Sequence, residues 1–173
     1  MTGQPPTPAP ATTRWKLALA AIILVQLASC IPRLSREFQF NAFNRDDSES
    51  YLALGHAILH TGRYTRSLDP DYPVPHKLFP PGLPLLAALG LAITPDSFLG
   101  PQLVIIAFAL AHTLLLAHLA RRYLPPSLAI LATLVTVCSP VYDRLAPVVM
   151  TEQPTPAFLL LTLIAFPPWP DPR

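Results

Sequence analysis

The chain has 173 residues, of which 51% are hydrophobic and only 13% charged. A soluble domain carries about 25% charged residues, so the deficit points to a membrane protein whose apolar residues come in blocks. The net charge of +2 is small, and the scattered basic residues lack the aromatic interleaving of a strand-binding groove, which argues against a nucleic-acid partner.

Residues 1–14 are expected to be a disordered cytoplasmic tail, because TGQPPTPAPATT is rich in Pro and Thr and has no apolar period. Residues 17–31 form the first predicted span, with Trp15 as an interfacial anchor. Arg14 and Lys16 also resemble the n-region of a signal peptide. Ser29-Cys30-Ile31-Pro32 is a poor cleavage site, however, so the span is read as uncleaved.

A long outer loop, residues 32–100, follows. Within it, residues 48–60 place Tyr51, Leu52, Leu54, Gly55, Ile58 and Leu59 at helical spacing, with Ser50, His56 and His60 on other faces. That pattern predicts an amphipathic helix at the membrane interface. Asp46 and Glu49 have the spacing of a helix N-terminus, and Gly62 fits a C-terminal stop. Residues 83–93 are apolar but about half the roughly 20 residues a span needs, so a short re-entrant helix is expected there.

Residues 101–120 make a full span ended by Arg121-Arg122. Residues 126–142 and 154–166 read as a third span and a short fourth one, with residues 169–173 as a tail. The expected fold is therefore all-α, a polytopic membrane bundle of about four spans occupying residues 15–168. Prolines at the block edges, such as Pro125-Pro126, suit helix starts and stops.

The positive-inside rule puts the N-terminus in the cytoplasm. If residues 83–93 do not cross, Arg121-Arg122 also reach the cytoplasm, and residues 143–153 emerge on the same outer side as Asp47. The expected location is the inner or plasma membrane, with an outward-facing active-site loop.

Three polar clusters then share the outer side. They are Arg45-Asp46-Asp47-Ser48-Glu49, His76-Lys77 before Pro80-Pro81, and the stretch from Asp143-Arg144 to Glu152. A carboxylate at an apolar boundary can act as a general base or orient a hydroxyl. A nearby Lys or Arg can hold a phosphate leaving group. Capping, dipole and snorkelling roles explain each residue singly. His112 and His118 within a span suit bundle hydrogen bonds, and the pair His56/His60 lacks a third ligand at a telling spacing. Cys30 and Cys138 read as small buried apolar residues.

In order along the chain, four features resemble the N-terminal part of a GT-C superfamily glycosyltransferase, nearest to the protein O-mannosyltransferase-like and aminoarabinose-transferase-like enzymes. They are Asp47-Ser48-Glu49-Ser50-Tyr51 after a first span, Gly62-Arg63-Tyr64 closing a helix, Pro80-Pro81-Gly82-Leu83-Pro84-Leu85-Leu86 opening a short apolar helix, and Met150-Thr151-Glu152 leading into a span. The resemblance covers about residues 15–166. It implies transfer of a sugar from a polyprenyl-phosphate donor to a glycan, lipid or protein acceptor at the outer face. Asp47 would be the catalytic carboxylate, with Asp46 as the alternative. Glu49, Tyr51, Lys77, Glu152 and Arg144 would bind substrate. Some members use a divalent metal, but no metal site or other cofactor is expected from these residues. Family members carry more spans than are found here. The chain is therefore read as the first part of such an enzyme, completed by a C-terminal half or a partner subunit. The alternative is an inactive truncated membrane protein or an accessory subunit.

Overall fold

In the computed structural model the described residues are 11–34, 47–65, 79–95, 97–145, 149 and 152–166, without the side chains of 11, 12, 47 and 143–145. Among them the regular structure is helical: α1 (Ala11–Cys30), a 3-10 turn (Ile31–Arg33), α2 (Asp47–Thr61), α3 (Gly82–Ile93), α4 (Leu99–Tyr123), α5 (Pro126–Val137), α6 (Pro140–Leu145) and α7 (Pro154–Ala165). The all-α expectation holds. Two stretches, Thr13–Arg33 and Leu99–Tyr123, are long and apolar enough to cross a membrane.

Boundaries follow the prolines. Pro126, Pro140 and Pro154 each open a helix, where a fixed φ and a missing N–H cost nothing. For the same reason the stretch 126–142, expected as one span, is two pieces. Pro140 starts α6 after a break at Cys138 and Ser139 instead of closing α5. Helix α1 begins at Ala11, inside the stretch expected to be a disordered tail.

Helices α1 and α4 run antiparallel. Arg121 lies over the Trp15 ring at 4.8 Å, the Thr113 hydroxyl donates to Gln26 Oε1 at 2.9 Å, and Gln102 Nε2 reaches the Arg33 carbonyl at 3.4 Å. The contact face of α4 is a stripe at spacing four, Ile105, Ala109, Thr113 and Ala117, all buried. Small residues on that stripe let neighbouring backbones approach, which drives helix association where no hydrophobic force acts between spans. The opposite faces stay apolar and exposed, with Leu24 at 65% and Val25 at 57%.

Helices α2 and α3 pack on each other and join α4 at the end where α4 begins. Tyr51, Leu52, Leu83, Ala87, Phe98, Ile105 and Val149 form one buried core there. Gly55 lies so close to α3 that a Cβ would meet the Ala87 Cβ and the Ala88 N at 2.9 Å. The buried face of α2 includes Ser48 and Ser50 as well as Tyr51, Leu52 and Leu54. Ser50 had been expected on a polar outer face. It is buried instead, at 4% exposure. His60 and Leu59 are exposed.

Candidate functional site

Three of the segments that carry the sequence resemblance lie at or beside this core, and Val149, just before the fourth, is buried in it. Asp47 is the first residue of α2, and its side chain lies outside the described ones. One turn on, Tyr51 is 7% exposed and its ring sits 4.8 Å from that of Phe79, just ahead of Pro80-Pro81-Gly82. The Tyr64 hydroxyl, after Gly62 and Arg63, donates to the Phe79 carbonyl at 2.5 Å. Val149, beside Met150-Thr151-Glu152, is fully buried against the same cluster.

Local chemistry explains the convergence. Helix α2 stops just before Gly62, whose φ of 67° suits a C-terminal stop. The Tyr64 hydroxyl then ties the end of α2 to Phe79 ahead of α3, and Leu83 and Ala87 share one cluster with Tyr51 and Leu52. The Ser48 hydroxyl, next to Asp47, is buried and has no hydrogen-bond partner. Burial leaves Glu49 half covered in the first turn, where a carboxylate is favoured by the helix dipole.

The other expected residues are spread more widely. Asp46 and Lys77 lie outside the described residues, as does the side chain of Arg144, which belongs to α6. Glu152 is exposed and stands on the rim of a separate open cleft of about 690 Å³ beside His112, Tyr142 and Gln153. His56 and His60 stack at 4.1 Å between ring centroids. Among the described residues no group of three potential metal ligands occurs.

A polar network that sequence reasoning missed ties α1, α4 and α6 together. The Tyr142 hydroxyl donates to the Ala109 carbonyl at 2.8 Å and accepts from Gln26 Nε2 at 3.2 Å. Thr113 completes it through Gln26 Oε1. The signal was present in the sequence, since polar residues inside apolar spans are costly and face a bundle interior. Gln26 and Thr113 are such residues, but nothing in their spacing pairs them with Tyr142. No known family, curated protein or solved structure matches the chain.

Proposed function

We propose that the chain is a membrane glycosyltransferase, or the first part of one, that moves a sugar from a polyprenyl-phosphate donor to an acceptor at the outer face. The observation that carries this reading is the meeting of Tyr51, Phe79, Leu83 and Val149 at one core, with the Tyr64 hydroxyl bonded to the Phe79 carbonyl. Tyr51, Tyr64 and Leu83 belong to three of the segments by which the sequence resembles the GT-C enzymes, and Val149 immediately precedes the fourth. Their assembly sets Asp47 at the head of a helix whose next turn is anchored by Tyr51.

In this reading the Asp47 carboxylate accepts the proton of an acceptor hydroxyl. The oxygen then attacks the anomeric carbon, and polyprenyl phosphate leaves with the bonding pair. Lys77 and Arg144 are the cations assigned to the leaving phosphate, and Glu49 and Glu152 are assigned to substrate hydroxyls. The contact of Trp15 with Arg121 supports a multi-pass arrangement in the inner or plasma membrane. It gathers Arg14, Lys16, Arg121 and Arg122 at one end of the α1/α4 pair, as the positive-inside rule requires of a cytoplasmic face. Helices α2 and α3 then start and finish on the opposite, outer side without crossing, and α5 to α7 supply the remaining membrane-embedded segments.

The test uses membranes containing the chain and undecaprenyl-phosphate donors of mannose, glucose and aminoarabinose. Transfer by the natural protein and its loss in Asp47→Asn, with insertion unchanged, is expected. Full activity in Asp47→Asn would falsify the assignment. Absence of transfer from every donor by the natural protein would leave the non-enzymatic reading instead.

A further inference from the structure

We infer that the paired ends of α1 and α4 form a headgroup site for an anionic phospholipid, with the Arg121 guanidinium, held over Trp15, as its phosphate clamp. The site does not depend on a catalytic Asp47, but it rests on α1 and α4 crossing the membrane.

Positive charge is concentrated there. Antiparallel packing brings the start of α1 to the end of α4. Arg14 and Lys16 flank Trp15, and Arg121 and Arg122 belong to the last turn of α4. Arg14, Lys16 and Arg121 are exposed, and Arg122 is half-buried. The sequence has no Asp or Glu between residues 1 and 36 or between residues 97 and 142. Among the described residues the acidic side chains are those of Glu49 and Glu152. Glu49 is in the first turn of α2, which joins α4 at its opposite end. Glu152 borders the His112 cleft, more than two turns back along α4 from Arg121. The helices that carry the four cations therefore carry no carboxylate to offset them, and like charges gathered at one end favour an anion between them.

The side chains suit a phosphate. The Arg121 guanidinium carbon lies 4.8 Å from the centre of the Trp15 ring. A guanidinium over an aromatic ring keeps N–H donors in its plane, and two of them match two phosphate oxygens. The ring contact also narrows the freedom of the Arg121 side chain, so less entropy is lost when a phosphate binds. Arg14, Lys16 and Arg122 add charge around it. A choline or ethanolamine headgroup brings a cation of its own, which these residues repel, whereas a glycerol headgroup leaves the phosphate charge uncompensated.

The surroundings select a lipid over a free phosphate. Apolar surface begins beside the cations: Leu17, next to Lys16, and Leu124 and Leu128, just after Arg122, are exposed. Trp15 and Tyr123 are residue types that settle at headgroup level. A headgroup with acyl chains meets both surfaces, and a free phosphate meets only the charged one. Basic groups where spans meet at the cytoplasmic surface hold lipid headgroups in this way.

The test uses the full chain with Trp169→Phe, which leaves Trp15 as its one tryptophan. It is reconstituted in phosphatidylcholine vesicles containing rising fractions of phosphatidylglycerol or phosphatidylcholine brominated on the acyl chains near the glycerol. Bromine quenches a tryptophan it touches, so the curves give relative affinities for the lipid position beside Trp15. Phosphatidylglycerol is expected to be favoured at least about fivefold, the factor supplied by one basic residue near an anionic surface. Arg121→Lys keeps the charge but removes the fork, and should cut that preference at least about twofold. The double variant Arg14→Gln/Lys16→Gln should cut it by as much, and serves should Arg121→Lys not insert. Excess inorganic phosphate at fixed ionic strength should leave the quenching unchanged. Equal affinity for the two lipids, full preference in either variant, or displacement by inorganic phosphate would overturn the headgroup site. Absence of quenching by both lipids would overturn it together with the crossing of α1. Sugar transfer is read separately, through Asp47→Asn.

Discussion

Gly90→Ala isolates the crossing of α3 with α4 from every other feature of the fold. A Cβ on Gly90 would meet the Pro101 nitrogen and Cα and the Gly100 carbonyl carbon. All three are backbone atoms, so no rotamer change relieves the clash. Overpacking of this kind costs about 1–3 kcal/mol, and the upper end applies where only backbone can move. The alanine regains about 1 kcal/mol of helix propensity. The expected net loss is therefore about 2 kcal/mol, roughly 30-fold in the folded-to-unfolded ratio. Reversible unfolding in mixed micelles, followed by far-ultraviolet circular dichroism, reads that change. Two glycines calibrate it. Gly82→Ala meets nothing within 4 Å and should be neutral or slightly stabilising. Gly62→Ala meets nothing either, but at φ 67° it should cost about 1–2 kcal/mol from left-handed backbone strain. If Gly90→Ala proved as stable as Gly82→Ala, the close helix crossing would be wrong.

Tyr142→Phe should cost about 1 kcal/mol, the scale of interhelical hydrogen bonds in membranes. Combined with Gln26→Leu in a double-mutant cycle, it should be clearly less than additive, because the two groups bond each other at 3.2 Å. Arg121→Gln should lose no more than about 1 kcal/mol, as fits an exposed cation–π contact, and the loss should vanish in a Trp15→Ala background. Tyr51→Ala should destabilise by about 3 kcal/mol, since it empties the centre of the α2/α3 core and breaks the ring contact with Phe79. Unfolding in mixed micelles measures each of these.

Much of the element inventory was legible in the sequence. Helices α2, α3, α4 and α7 sit within a few residues of their expected ranges, because apolar period and proline punctuation are local properties. The error at residues 126–142 was also local. Pro140 was read as an end, when a proline just past a break is equally a beginning. Ser50 was misplaced for a different reason. Periodicity identifies an apolar face, but it does not say how much of the helix its neighbours cover, and Ser48 and Ser50 are buried too.

Composition and spacing by themselves determined that this chain is helical and apolar, since those facts concern residues near one another in the chain; they led to about four expected spans, whereas two helices are long and apolar enough to cross a membrane. Only the tertiary structure decided which distant residues meet. It brought Tyr51, Phe79, Leu83 and Val149 into one core, paired Gln26 with Thr113 and Tyr142, and moved Glu152 to the rim of the His112 cleft. The physical reason is that a polar or aromatic side chain advertises its need for a partner in the sequence, whereas the identity of that partner depends on helix crossings, and those are fixed by how closely small residues such as Gly55 and Gly90 let backbones approach.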